Sequence, residues 1–264
     1  MTPASLSNQW ILQPRLSRNP ALRLFCFPYA GGGASVYNSW IEELPETIEV
    51  CPVQLPGREN LRTRAPYSRL SPLIDELANV LGGYLNIPFA FYGHSMGALI
   101  SFELIRRLRQ QHLPQPSHLF VSSHRAPQLA DRTSSLHELP DSEFLSKVQE
   151  LQGITEAVLG NSELIEIFAP LLRADFSLCE SYVYCEAAPL ECAITCFGGT
   201  DDKRISTTEL DAWRAQTTSR FKLRLFPGNH FFLQDSRQLL LRVISQDLKD
   251  ALRPLPRARS RPSS

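Results

Sequence analysis

An α/β fold, a mostly parallel central sheet flanked by helices, is predicted by three features of the sequence. Strand-like apolar runs alternate with helix-like amphipathic runs over most of the chain, as parallel strands joined by crossover helices require. One apolar run, Pro88-Phe89-Ala90-Phe91-Tyr92, passes through Gly93-His94-Ser95-Met96-Gly97 directly into a helix-like segment, Ala98 to Gln111. Two later runs each end in a glycine-containing loop that carries an ionisable side chain, and function-bearing loops gather at the carboxyl ends of such strands.

Taken in order, Ala21 to Phe27 is the first clear strand, followed by the loop Pro28-Tyr29-Ala30-Gly31-Gly32-Gly33. A second strand ends near Val53. Ser71-Pro72 predicts the start of a helix to about Leu85, with Leu73, Leu77, Val80 and Leu81 at helical spacing. The run before the pentapeptide is the next strand, and His118 to Ser123 the one after. Leu190 to Phe197 reads as a buried strand and Phe221 to Phe226 alternates with period two. Ser206-Thr207-Thr208-Glu209 is a capping box opening a helix that ends near Thr217. Asp235 is expected to open a last helix through about Leu252.

From about 126 to 188 the alternation stops, and the chain offers two or three helical stretches without a convincing strand. Asp141 can cap the stretch containing Phe144, Leu145 and Val148; Asn161 can cap another containing Leu164, Ile165 and Phe168, which Pro170 interrupts or kinks. An all-helical insertion between the sixth and seventh strand positions, just before the loop after Phe197, predicts a helical lid that excludes water from an acyl group. Leu159, Ile167, Leu171, Leu172 and Phe176 are its pocket candidates, and the bland alternative is extra core.

A chain of 264 residues can close one domain, expected over 1–264. Lys+Arg and Asp+Glu both total 27, so bulk charge suggests no nucleic-acid partner. No basic-then-apolar leader pattern and no apolar run of spanning length predict a cytoplasmic protein with no membrane partner. Six cysteines lie scattered without a C-x-x-C pair and read as free thiols; Cys192 and Cys196 share one strand face. The Pro, Arg and Ser mixture of 253–264 is expected to be a disordered tail.

Gly93-His94-Ser95-Met96-Gly97 fits G-x-S-x-G between a strand and a helix, the context of a nucleophile elbow. A serine hydroxyl needs a general base, and the base an orienting acid, here expected in the order Ser, Asp/Glu, His. The base is expected in Pro227-Gly228-Asn229-His230. His94 reads as packing, because neighbouring side chains in a tight elbow point apart. His112, His118 and His137 read as solvated or structural, and His124 as pocket lining with a minor claim to be the base. The acid lies in Gly198-Gly199-Thr200-Asp201-Asp202. The spacing of Asp202 to Ile205 favours Asp202, with Asp201 the alternative. The backbone N–H of Met96, at a helix start, is one oxyanion donor. A second should come from the loop holding Gly31-Gly32-Gly33. No G-x-x-x-x-G-K-[ST] or G-x-G-x-x-G is present, which makes a phosphate-cradling reading of the glycine loop weak. Neither a cofactor nor a metal is expected.

Four stretches together resemble the type II thioesterases that accompany nonribosomal peptide and polyketide synthases, members of the α/β-hydrolase superfamily. They are Phe27 to Ala34, Gln54-Leu55-Pro56-Gly57-Arg58-Glu59, Tyr92 to Ala98, and Phe226 to Leu233. The similarity runs from about residue 20 to about residue 245. Esterases and lipases share the elbow but rarely Leu-Pro-Gly-Arg-Glu. The resemblance implies an α/β-hydrolase fold, catalysis by Ser95, Asp202 and His230, and an oxyanion hole of the Met96 and Ala30 amides. Asn229 stands where the family usually has glycine. The implied activity is hydrolysis of acyl or aminoacyl thioesters on the phosphopantetheine arm of carrier domains, an editing role in antibiotic biosynthesis, by a monomer. Alternatives are an acyl-CoA or medium-chain acyl-carrier thioesterase, a free-standing esterase or acyltransferase, and a non-catalytic carrier-binding scaffold. Carrier domains are commonly acidic, so Arg58, Arg62, Arg64, Arg125 and Arg132 are candidates for a basic docking surface.

Overall fold

The structure is a computed structural model that describes residues 9–12, 19–129, 135–151 and 160–252. Six strands form one sheet: β1 (Leu22–Phe27), β2 (Ile48–Pro52), β3 (Phe89–His94), β4 (His118–Ser122), β5 (Ala193–Gly199) and β6 (Phe221–Phe226), in the order β2-β1-β3-β4-β5-β6. Every neighbouring pair is parallel. The inner strands β1, β3, β4 and β5 are largely apolar because both faces are covered, while the edge strand β6 alternates and is partly exposed. Alternate side chains go to opposite sides. Phe25, Phe27 and Phe91 pack with Leu73, Leu77, Leu99 and Phe102 of the helices α2 (Leu70–Leu81) and α3 (Met96–Gln110). Leu24, Cys26, Tyr92 and Phe120 pack on the other face with Trp40 of α1 (Asn38–Glu43).

Between β4 and β5 lie α4 (Asp141–Glu150) and α5 (Ser162–Glu180), which share a small apolar contact of Phe144, Val148 and Leu172. Asn161 caps α5 as expected, its side chain accepting from the amides of Glu163 and Leu164 at 3.0 and 3.2 Å. Beyond β5 come α6 (Thr207–Asp211), with its complete capping box, then α7 (Phe232–Asp235) and α8 (Arg237–Leu252). All six cysteines are free.

Several helix ends depart from the sequence reading. α2 begins at Leu70 after an extended Arg69, so Ser71 does not cap it, and Pro72 sits in the first turn where no amide donor is missed. α3 begins at Met96 rather than Ala98, because Ser95 itself is the turn residue. Asp141 is the first residue of α4 and caps nothing; its carboxylate takes Arg173 Nη2 at 2.5 Å. Pro170 neither interrupts nor ends α5: Pro170 and Glu166, whose carbonyl loses its partner, are both on the exposed side, where water can serve that carbonyl. Asp235 ends α7, and the last helix starts two residues later. The expected tail, 253–264, falls outside the described residues.

At the amino edge of the sheet a buried polar chain ties three strands to α8. His118 Nε2 lies 2.9 Å from Thr195 Oγ1, Thr195 Oγ1 donates to Asp247 Oδ2 at 2.9 Å, and Lys222 Nζ donates to Asp247 Oδ1 at 2.5 Å. Burial pushes the His118 pKa down to about 4, against the opposing pull of Asp247. A histidine lowered in the folded state contributes stability above the unfolded value of about 6.5 and loses it as pH falls through that value towards 4. Chemical denaturation at pH 7 and pH 5 should show a loss of roughly 2 kcal/mol from this residue. His118→Gln is expected to shrink the pH 7-to-5 difference by about that amount; an unchanged difference would show that His118 is not the group taking up the proton.

Candidate active site

β3 runs into α3 through one residue. Ser95 has φ 52° and ψ −118°, a strained conformation that sets its half-buried side chain at the carboxyl edge of the sheet. The crossing is too close for side chains on either flank. A Cβ on Gly93 would lie 2.1 Å from Gly97 O, and one on Gly97 would lie 2.1 Å from Phe27 O. The Ser95 amide is tied to the end of β4 by a 2.8 Å bond to Ser122 O.

The loops after β5 and β6 are stitched together by their backbones. Thr200 N–H donates to Phe226 O at 2.8 Å and Asp201 N–H to Gly228 O at 2.9 Å. This brings Asp202 Oδ2 to 2.8 Å from His230 Nδ1, with the two side chains 1% and 4% exposed. Asp202 Oδ1 accepts the Arg204 amide at 2.9 Å. Asp201 is exposed and takes Thr200 Oγ1 at 3.2 Å, away from the imidazole. Asn229 supports the turn, its Oδ1 accepting the Phe231 amide at 2.8 Å. His230 Nε2 is buried and has no hydrogen-bond partner among the described residues.

Burial lowers the His230 pKa, and the bond to Asp202 only partly offsets it, so the imidazole is held neutral below the ordinary histidine range. Burial alone would raise Asp202, but the hydrogen bond and charge of His230, the Arg204 amide and Ser123 outweigh it and hold the carboxyl below its usual value. The pair is therefore an ionised carboxylate orienting a neutral imidazole near neutral pH.

His94 packs as expected: its ring centroid is 5.4 Å from that of His230 and 5.8 Å from that of Tyr29, and its Nδ1 lies 2.9 Å from Ser122 Oγ. His124 turns its Nδ1 to the Arg125 carbonyl at 2.7 Å, and its own carbonyl takes Trp213 Nε1 at 2.7 Å. One residue that the sequence did not flag belongs to the site. Ser123, at φ 48°, donates from its hydroxyl to His230 O at 3.2 Å. Only its place just after β4 could have suggested it.

A cavity of about 640 Å³ opens between the glycine loop and α5, lined in part by Tyr29, Gly31, Phe168, Leu171, Leu172 and Phe231. Ile167, 63% exposed, reaches its rim. Phe176 does not line this cavity; it packs edge-on against Phe144 at 5.7 Å, inside the α4–α5 contact. Leu159 falls outside the described residues.

Arg58 is the clearest correction. Expected on the surface, it is 6% exposed and pairs through two nitrogens with Asp175 of α5, at 2.9 and 2.8 Å. It has no charge to offer a docking partner. Arg62 and Arg64 are exposed, Arg125 is half-buried, and Arg132 lies outside the described residues. Among the described residues no three His, Cys, Asp or Glu gather as metal ligands, and no helix is long and apolar enough to cross a membrane.

Residues 22–248 match the family described as a thioesterase domain. The chain is 44% identical to the gramicidin S biosynthesis protein GrsT of Aneurinibacillus migulanus, over 96% of this chain and 99% of that one. It is also 44% identical to the linear gramicidin dehydrogenase LgrE of Brevibacillus parabrevis, over 93% and 94%. Among solved structures, the type II thioesterase BorB from the borrelidin biosynthetic cluster superposes with a TM-score of 0.81 at 32% identity, covering 91% of this chain and 96% of that one.

Proposed function

The chain belongs to the thioesterase domain family, and from that premise we propose that it hydrolyses acyl or aminoacyl thioesters on the phosphopantetheine arm of synthase carrier domains, with Ser95, His230 and Asp202 as its triad. The observation that carries the reading is His230 itself. Its Nδ1 is held by a buried carboxylate at 2.8 Å, while its Nε2 is unclaimed and available as a base. The sequence of LgrE's relative here has no G-x-G-x-x-G, so nothing in it supports dinucleotide chemistry.

In this mechanism Ser95 Oγ forms a bond to the thioester carbonyl carbon as His230 Nε2 takes its proton. Asp202 keeps the proton of His230 on Nδ1 and stabilises the imidazolium. The negative oxygen of the tetrahedral intermediate is met by the amides of Met96 and Ala30. Met96 is the first residue of α3, where amides have no intrahelical acceptor and the helix dipole favours an anion. Beside Ala30, the Gly31 and Gly32 amides are engaged, with Asp175 at 2.7 Å and Tyr29 O at 2.9 Å. Collapse breaks the carbon–sulfur bond, and the leaving thiolate takes the proton from His230. Water then attacks the acyl-serine carbonyl as His230 Nε2 takes its proton; collapse breaks the bond to Ser95 Oγ, which takes that proton back from His230, and the acid leaves.

A panel of one acyl group on a carrier domain, on coenzyme A and as an oxygen ester tests the substrate class. The carrier thioester is expected to have the highest kcat/KM. Preference for coenzyme A would favour an acyl-CoA thioesterase, and preference for the oxygen ester a free-standing esterase.

With Arg58 withdrawn, Arg62, Arg64 and the half-buried Arg125 remain as docking candidates among the described residues, with Arg62 on the rim of the cavity and Arg62 and Arg64 the exposed ones. Exposed charges of this kind raise association rates and are screened by salt. Arg62→Ala/Arg64→Ala is expected to lower kcat/KM on a carrier-bound acyl group several-fold at low ionic strength, and to leave the same acyl group on a small pantetheine thiol unaffected. Equal losses on both substrates would place the two arginines in the pocket rather than at a protein contact.

A further inference from the structure

The segment Gln54-Leu55-Pro56-Gly57-Arg58-Glu59 carries no member of the triad, and its polar side chains converge on one neighbour. Gln54 Oε1 accepts the Ala34 amide at 3.0 Å, and Glu59 Oε1 accepts the Ser35 hydroxyl at 2.5 Å and its amide at 3.3 Å. Arg58 Nη1 donates to Gly32 O at 3.0 Å. One side of the glycine loop is thus held by the chain following β2.

The other side is held by α5. Asp175, 2% exposed, accepts the Gly31 amide at 2.7 Å with the same Oδ2 that meets Arg58. One turn earlier, Leu172 fills the space over Gly31, where a Cβ would come within 2.7 Å of its Cδ2. The helix therefore seats on the loop through one apolar contact and one charged one. The loop in turn packs on neighbours of the proposed reacting groups. The Pro28 carbonyl, with that of Phe27 before it, lies over Gly97, and the Tyr29 ring is 5.0 Å from that of Phe231, next to His230.

Two charges taken out of water are a poor source of stability, because desolvation consumes most of their attraction. A bidentate guanidinium–carboxylate pair does supply fixed geometry. Here that geometry commits the Gly31 amide and thereby sets the peptide units on either side of it. We propose that Asp175 and Arg58 are positioning residues for the hydrolysis: they lock the glycine loop to α5 so that the Ala30 N–H points where the oxyanion forms. The inference rests on the reading of Ala30 and Met96 as the oxyanion donors. It makes α5 a support of the reacting centre as well as a cover over it.

The discriminating variant is Arg58→Met/Asp175→Leu, since replacing both partners of a buried pair with apolar groups generally preserves stability while removing the anchor. Its Tm is expected within a few degrees of the parent, with KM for an acyl-pantetheine thioester within twofold. Its kcat should fall about 10- to 100-fold, because a displaced donor acts much like a misplaced reactant. Labelling of Ser95 by a fluorophosphonate, which needs the same donors, should slow in proportion. A kcat within twofold of the parent in this variant would overturn the proposal. Should the double variant fail to fold, Asp175→Asn decides: it keeps the shape and loses the charge, and an undiminished kcat with it would likewise overturn the proposal. If the parent itself is not labelled at Ser95, the failure belongs to the triad reading instead.

Discussion

Ser95→Ala is expected to abolish thioester hydrolysis, with turnover falling on the order of 10⁶-fold, the loss found when the nucleophile of another serine hydrolase is removed. The residue is the sole link between β3 and α3, and its alanine variant keeps the same backbone, so secondary structure and Tm should stay close to the parent. A small residual rate would come from the amide donors and substrate binding alone. A fluorophosphonate should label Ser95 in the parent and nothing in the variant. Activity surviving the substitution, with no label on the parent, would remove Ser95 from the reaction.

The second large effect separates two adjacent aspartates. Asp202→Asn should reduce turnover by about 10⁴-fold, as a related change does in another triad enzyme, because an amide stabilises the wrong tautomer of the imidazole and no longer balances its charge. Asp201→Asn should cost at most a few-fold, since its carboxylate meets Thr200 at 3.2 Å and is exposed. Steady-state kinetics on both variants decides the matter, and reversed losses would make Asp201 the acid despite its position.

What could be seen in advance was whatever depends on near neighbours. The elbow is legible because Gly93 and Gly97 are demanded by contacts within a few residues and by one adjoining strand. The capping box at Ser206 and the cap at Asn161 are local hydrogen bonds, and both were anticipated. The aspartate that meets His230 is the one that spacing along its loop favours. Arg58 could not be placed that way: its partner Asp175 is 117 residues further on, and an arginine after a strand looks like any solvated charge. Ser123 was hidden for a similar reason, since its partners are distant in the chain: its amide donates to Phe197 O at 2.9 Å and its hydroxyl to His230 O at 3.2 Å. At α4 the Asp141 carboxylate, which sequence rules assign to a cap, is taken by Arg173 of α5, while α2 starts one residue before Ser71 and α8 two after Asp235.

The strand order has a consequence for how the reacting centre comes into being. Residues 22–122 supply β2, β1, β3 and β4 as an uninterrupted block, and Ser95 lies inside it. Asp202 and His230 arrive only when β5 and β6 add at one edge, after a detour of about 70 residues whose closure entropy must be met before those strands find partners. A chain emerging from the ribosome would thus hold Ser95 at its elbow before Asp202 and His230 have been made. On the proposed triad the Ser95 hydroxyl is expected to stay inert until then, and turnover regained on refolding to mark the completion of the sheet rather than its nucleation.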